Sequence, residues 1–424
     1  MRNISLHRRL ESFTVDACGR LSAEAAGGAE MPFELSEERG GGGVPLYCYK
    51  PLTGEFIRSR MGVLAALPSY REACDALAES DALDVYLSEH GVKAPGDLRG
   101  RCQETLAVFL DGVYADRGGF GFEPSHFEAA YAELERALYE GHCTATVIAP
   151  LLGVGLDSGT AEIRLEDGLS LIRGDALPDA PVEAVWGDSE EPHVLALLAV
   201  DQERSERAPV SMARVRFRRI LSALRLFERG GYALGPVGWA RTEAGRWRTV
   251  SVGVSGRVGG SRLLTIVPEA QEDELRAFYR LVARRAPGPE LAWALARFEM
   301  GCERLAPLEA LTDYLLALRA LLEPEGPGSG RLAQRLAVIC ARPEDRGGLA
   351  ERAARAIALE RAVVTGTASL PDDPSLPQAA VDEMAEHLRA ILRDALCGHL
   401  DPDLCAVADD LLAESASSGE RTPV

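Results

Sequence analysis

Apolar residues along this chain change their spacing twice. Between Pro45 and Tyr139 the spacing is helical. Ser69 stands where it can cap a helix carrying Ala73 and Leu77, with Leu83 close behind. Leu106, Phe109, Leu110 and Val113 mark a second helix over 98–113, and Phe127, Ala130, Tyr131, Leu134 and Leu138 a third over 124–139. From Cys143 to Pro268 the period drops to two. Segments 144–152, 161–172 and 194–200 read as strands, and 246–254 with 261–267 as a hairpin around the turn 256–260. One amphipathic helix over 211–228, stopped by Gly230, interrupts them. After Pro268 helical spacing returns to about Glu414. Leu308, Leu311, Leu315, Leu318 and Leu322 form one apolar stripe, 324–330 is a breaker loop, and helices follow over 331–341 and 348–364. A loop with Pro and Asp at 369–377 then precedes a last helix over 379–396 that buries Met384, Leu388, Ile391, Leu392 and Ala395.

This pattern predicts an α+β protein in consecutive parts. Residues 1–44 are an unassigned N-terminal segment ending in the flexible run Gly40–Gly43, 45–142 a helical module, 143–268 a mixed α+β sheet domain, 269–414 an all-helical domain and 415–424 a disordered tail. No internal repeat is present. A length of 424 residues fits two or three domains, and 46% apolar content is enough for ordinary cores.

The longest apolar run, Val194–Val200, is far short of the roughly 20 residues of a membrane helix, and Met1–Arg9 lacks the apolar core of a signal peptide. The expected location is the cytoplasm, without a membrane partner. Nine cysteines, none in a Cys-x-x-Cys pair, suit reduced and mostly buried thiols better than a disulfide framework or a zinc site.

Net charge is −19, which repels polyanions and argues against broad electrostatic binding of nucleic acid, leaving only local basic patches. All 46 basic residues except Lys50 and Lys93 are arginine. With the Ala and Gly richness this reads as coding bias, so arginine abundance by itself is no sign of phosphate binding. The cluster Arg214, Arg216, Arg218 and Arg219 reads as the solvated face of its helix, although it can also touch an anion. Glu190–Glu191 and Asp409–Asp410 read as ordinary surface. The run Gly153-Val154-Gly155-Leu156-Asp157-Ser158 lacks the third glycine of a dinucleotide fingerprint and is assigned to a turn. No Walker A, His-Glu-x-x-His or Gly-x-Ser-x-Gly motif occurs, so no nucleotide site, metal or cofactor is expected.

Five blocks in the last third stand in a recognisable order. They are Ala296-Arg297-Phe298-Glu299, the stripe ending Ala317-Leu318-Arg319-Ala320-Leu321-Leu322-Glu323, Leu332-Ala333-Gln334-Arg335-Leu336-Ala337, the segment 361–366, and Leu388-Arg389-Ala390-Ile391-Leu392-Arg393. In this the C-terminal region resembles the HEPN superfamily, most closely bacterial ApeA-like HEPN domains. Ala149-Pro150-Leu151-Leu152-Gly153, Asp167-Gly168-Leu169 and Ala223-Leu224-Arg225-Leu226-Phe227 are similar to what precedes such domains. The resemblance implies an all-α bundle, a homodimer paired through it, RNA as a partner, and a setting in bacterial conflict or stress response.

Active members, the resemblance implies, cleave RNA without metal through an Arg-x4-6-His motif at the dimer seam. A histidine of near-neutral pKa takes the proton of the ribose hydroxyl, and an arginine fork steadies the phosphate. This chain departs from the pattern: Thr365 stands at the histidine position, and aligning Val364-Thr365-Gly366 on the family's Val-His-Gly puts Glu360, not Arg361, at the arginine position. The Arg361–Thr365 segment reads equally as a helix C-terminus stopped by Gly366 and as an altered ligand-contacting site. Literal Arg-x5-His matches occur at Arg136–His142 and Arg393–His399, and chance supplies about two such matches in this composition. Arg393 and His399, with Asp394 beside the arginine, form the second candidate pair because they lie inside the resembling region. Three readings follow: a non-catalytic or weakly active HEPN-family protein working through dimerisation or binding of a ligand or RNA; a metal-independent endoribonuclease using the displaced pair, or Arg361 with a histidine from the partner subunit; and a small-ligand-binding protein built on the middle sheet.

Overall fold

A computed structural model of the chain describes residues 2–38, 46–115, 117–187, 189–204, 206–243, 245–253, 264–284, 287–366 and 375–419. It opens with a helix that sequence periodicity left unassigned, α1 (Ile4–Ala26). Leu6, Leu10, Phe13, Ala17 and Leu21 fall on one buried stripe, and the Asn3 side chain caps the first turn by accepting from the Leu6 amide. Strands β1 (Phe33–Glu38) and β2 (Leu46–Pro51) pair antiparallel from Phe33↔Pro51 to Glu38↔Leu46. The expected Gly40–Gly43 linker lies outside the described residues. Helices α2 (Thr53–Leu64), α3 (Pro68–Leu77), α4 (Leu83–Glu89), α5 (Leu98–Val113) and α6 (Pro124–Tyr139) complete a helical module with its own core, in which Phe13, Phe56, Phe109 and Phe127 are fully covered. Ser69 is not the cap of α3. Pro68 occupies the first helical turn, where its missing N–H costs nothing, and the Ser69 hydroxyl donates to Asp16 on α1.

The middle region is a seven-stranded antiparallel sheet. Its strands are β3 (His142–Leu152), β5 (Glu162–Glu166), β6 (Leu169–Arg173), β7 (Val194–Glu203), β8 (Ala233–Leu234), β9 (Gly238–Thr242) and β10 (Arg248–Val250), ordered β10-β9-β3-β7-β6-β5 with β8 beside β3. The long β3 and β7 form the spine, in register from His142↔Glu203 to Leu151↔Val194. Segment 161–172, expected as one strand, is a hairpin of β5 and β6 turned at Asp167–Gly168. The hairpin expected between 246–254 and 261–267 does not form among the described residues: β10 pairs with β9, and β11 (Thr265–Val267) runs parallel to the short β4 (Val154–Leu156). Two short apolar runs show no periodicity that names their partners, and only the packed sheet assigns them. A one-turn helix, α7 (Val182–Val185), covers part of one face, and α8 (Val210–Phe227) packs on the other through Phe217, Ile220, Leu221 and Leu224.

The rest of the described chain is helical: α9 (Glu272–Arg284), α10 (Pro289–Glu303), α11 (Pro307–Leu322), α12 (Leu332–Cys340), α13 (Arg346–Val364), α14 (Ser375–Cys397) and α15 (Leu404–Gly419). Of the loop expected at 369–377, residues 375–377 already belong to α14, and 369–374 lie outside the described residues. The tail expected to be disordered from Ser415 continues α15 as far as Gly419, with the Ser415 hydroxyl donating back to the Leu411 carbonyl. One core runs without a break from Val147 and Leu198 in the sheet, through Phe217 and Leu224 of α8, to Leu318, Leu336 and Leu388 among the C-terminal helices. The boundary expected at 268 therefore crosses a shared core. α8 joins the two sides by packing against both α9 and α14.

Candidate functional site

The residues expected from the motif end up at a helix terminus. Thr365 caps the C-terminus of α13 just before Gly366, which takes φ +70, and the Thr365 hydroxyl donates to the Arg361 carbonyl at 2.8 Å. Arg361 is exposed on the same turn. Glu360, at the position where the resembling family carries arginine, is buried and accepts both guanidinium nitrogens of Arg319 from α11, at 2.8 and 2.5 Å. This pair clamps α13 to α11. The second pair is not brought together. Arg393 donates to the Phe227 carbonyl at the end of α8, while the exposed His399 faces Asp394 at 3.8 Å; no hydrogen bond joins Arg393 to His399 among the described residues. The Arg214–Arg219 cluster is partly used structurally, with Arg214 donating to the Ser251 carbonyl and Arg216 pairing with Glu166.

A different set of side chains meets in a cleft of about 750 Å³ between the end of α8 and helices α10, α11 and α14. The α8 stripe explains its floor. Phe217 and Leu221 face the core, and the next residue on that spacing is Arg225, a guanidinium where an apolar side chain would be expected. It is only 4% exposed. Its Nη2 reaches the Tyr232 carbonyl at 3.4 Å and its Nη1 lies 3.6 Å from Glu303, but Nε has no hydrogen-bond partner. The segment from Arg229 to Tyr232 forms the rim, and Thr265 of β11 adds to it.

Opposite, α14 presents Gln378, Asp382, Glu386 and Arg389 at helical spacing. Gln378 donates to Asp382 at 2.7 Å, Arg389 to Glu386 at 2.6 Å, and Arg229 crosses the cleft to Asp382 at 3.1 Å and Glu386 at 3.5 Å. The Arg389 Nε, like that of Arg225, is buried without a partner. The remaining wall is apolar and closely packed, with Phe298, Ala310, Tyr314 and Val381 lining it. Gly301 is required there, because a Cβ at that point on α10 would run into the Tyr314 ring on α11.

The titratable groups of this wall are held in their neutral forms. Burial pushes the Cys302 thiol up and the Tyr314 phenol far above its ordinary value, and the phenol donates to the Cys302 sulfur at 3.7 Å. A protonated thiol is no nucleophile. No histidine lines the cleft. Beneath it Asp313, nearly fully buried, is satisfied by Arg297 at 3.1 Å and Arg304 at 2.7 Å, so Arg304 at the rim is already committed. What the cleft offers a visitor is the guanidinium groups of the buried Arg225 and the half-buried Arg389, carboxylate acceptors on α14 and an apolar flank.

Among the described residues no three His, Cys, Asp or Glu side chains stand close enough to hold a metal ion, and no helix is long and apolar enough to cross a membrane. Periodicity could have drawn attention to Arg225, the one charged position on the buried stripe of α8. Nothing local pairs it with Arg389, which lies 164 residues further on. Searches of family models, curated proteins and solved structures find no match to this chain.

Proposed function

We propose that this chain is an HEPN-like protein that binds a small anion-bearing ligand in the α8–α14 cleft and does not cleave RNA. The observation that carries this reading is the Arg225 guanidinium on the cleft floor, 4% exposed and held by one long hydrogen bond of 3.4 Å and an ion pair at 3.6 Å. A cation held this loosely forfeits about 1–3 kcal/mol of hydrogen bonding, which an anion in the cleft restores at the guanidinium. Arg389, paired with Glu386 at 2.6 Å, supplies a second guanidinium on the facing helix. Against catalysis stand the side chains at the motif positions: the Thr365 hydroxyl is turned onto its own helix, and Glu360 is locked to Arg319.

The bundle's resemblance supplies the setting, a two-copy protein of bacterial conflict or stress response. Trp293 and Met300, about two turns apart on α10, and the 80% exposed Leu305 just beyond give that region apolar surface suited to a second copy. The competing reading is cleavage by Arg393 and His399. One experiment separates the two: purified protein is incubated with total RNA over a concentration series, while its thermal midpoint is followed against inorganic phosphate. The expected result is intact RNA at every concentration, the same for Thr365→Ala, and a midpoint that rises with phosphate in the parent but not in Arg389→Gln. RNA cleaved by the parent and spared by His399→Ala would establish the competing reading, and an Arg389→Gln variant that responds to phosphate like the parent would remove the cleft from the proposal.

A further inference from the structure

Resting on that anion-binding reading, we infer that the ligand is a phosphate monoester of a sugar or similar polyol, seated with its phosphate toward Arg225 and Arg389 and its hydroxyls along Asp382 and Gln378 of α14. Size gives the first argument. A volume of about 750 Å³ matches a small-molecule pocket and has no room for a folded nucleic acid.

Charge gives the second. Four arginines line the cleft, but two are spent: Arg304 on Asp313, and Arg229 on Asp382 and Glu386. Arg225 and Arg389 also have carboxylate partners, Glu303 at 3.6 Å and Glu386 at 2.6 Å, but Arg225 makes only one hydrogen bond besides, 3.4 Å long, and is the least satisfied of the four. The Tyr232 carbonyl accepts from Arg225, and both Tyr232 and Arg389 line the same cleft. Two guanidinium groups approaching from different helices suit the several oxygens of one phosphate better than the flat pair of a carboxylate. A polyphosphate or nucleic acid strand would bring further negative charge against Asp382 and Glu386, which repel it.

The third argument is the chemistry of the α14 wall. Ionised carboxylates only accept, each oxygen having room for more than one donor. Asp382 accepts from Gln378 and Arg229, and Glu386 accepts from Arg389 and is ion-paired with Arg229 at 3.5 Å, so the wall is preorganised before a ligand arrives. Groups that complement such a wall are hydroxyls, and the carbon frame bearing them lies against Val381, Ala385 and Phe298.

The test is calorimetric titration of the full chain with five probes: inorganic phosphate, ribose 5-phosphate, free ribose, the corresponding sugar acid, and a short single-stranded oligonucleotide. The pentose phosphate is expected to bind at least tenfold more tightly than inorganic phosphate, with free ribose and the oligonucleotide silent and the sugar acid weaker. In Asp382→Asn and, independently, in Gln378→Ala, the preference for pentose phosphate over phosphate falls toward one. Equal affinity of the parent for phosphate and pentose phosphate, or a preference that survives both substitutions, overturns the polyol assignment while leaving anion binding intact. A sugar acid that binds as well as the sugar phosphate overturns the choice of phosphate, and tighter oligonucleotide binding overturns the small-ligand assignment in favour of nucleic acid. Absence of any anion binding brings down the parent reading as well.

Discussion

At the scale of single residues, this protein uses buried arginines for two opposite purposes. Arg335 is 0% exposed and saturated: it donates to both oxygens of Glu325 at 2.8 and 2.7 Å, to both of Asp409 at 2.9 and 2.8 Å, and to the Leu322 carbonyl. Arg225, equally enclosed, keeps an idle donor. The first arrangement is a staple and the second a socket, and the difference is hydrogen-bond satisfaction, not burial. The staple has a pH signature. Hydrogen bonding from Arg335 lowers the Glu325 carboxyl to about 2, and Asp409 shifts the same way. Because the folded-state value lies below the unfolded one of about 4.3, this contribution is complete above pH 4.3 and drains as pH falls toward 2. Urea midpoints measured across that interval are expected to decline for the parent and to follow a shallower course in Glu325→Gln, which cannot ionise. Parallel curves would show that the staple does not couple to acid.

Among elements, the cleft is bounded by α10 and α11, which approach closely at Gly301, and by α14 and the end of α8. The closeness comes from the missing Cβ at Gly301, which lets Tyr314 lie flat against α10. Gly301→Ala is expected to cost about 1–3 kcal/mol, since the ring must move through packed surroundings. The same ring lines the cleft, so the substitution is also expected to weaken phosphate binding. Differential scanning calorimetry with and without phosphate reads both effects; a midpoint within a degree of the parent would mean that the two helices separate freely. Elements were also where sequence periodicity performed unevenly. Helices α5 and α6 stand at the expected residues because several large apolar side chains recur on one face. β11 lies in a segment expected to be a strand but takes another partner, and β4 lies in a run expected to be a turn, because three-residue strands carry no period and their parallel pairing joins segments more than a hundred residues apart.

At the scale of the molecule, the described residues form two large cores and a small cluster under α7, with a polar seam between the large cores. Arg204, at the end of β7, is 6% exposed and joins the sheet to the N-terminal module by donating to Glu89 at 2.6 Å and to the Glu140 carbonyl at 3.0 Å, with Glu243 of the sheet 2.9 Å away. Arg248 reinforces the seam by donating to the Ser88 and Glu89 carbonyls, the C-terminal end of α4. Removing Arg204 strands Glu89 in a site from which water is excluded. Arg204→Ala is expected to cost about 3 kcal/mol and to split denaturant unfolding into two transitions, one for each core. A single transition at an unchanged midpoint would mean that the apolar part of the interface already couples the cores.

The sequence alone determined the helices whose apolar stripes are long and the strand character of the middle region, because each is written in neighbouring residues. It also contained the evidence for α1, in the stripe from Leu6 to Leu21, though the intervening charged and small residues obscured it. Tertiary structure decided which strands pair, that the sheet and the C-terminal helices share one core, and that Arg225 and Arg389 line one cleft with idle donors. Whether a polar group is satisfied depends on partners far away along the chain, and local pattern carries no information about them.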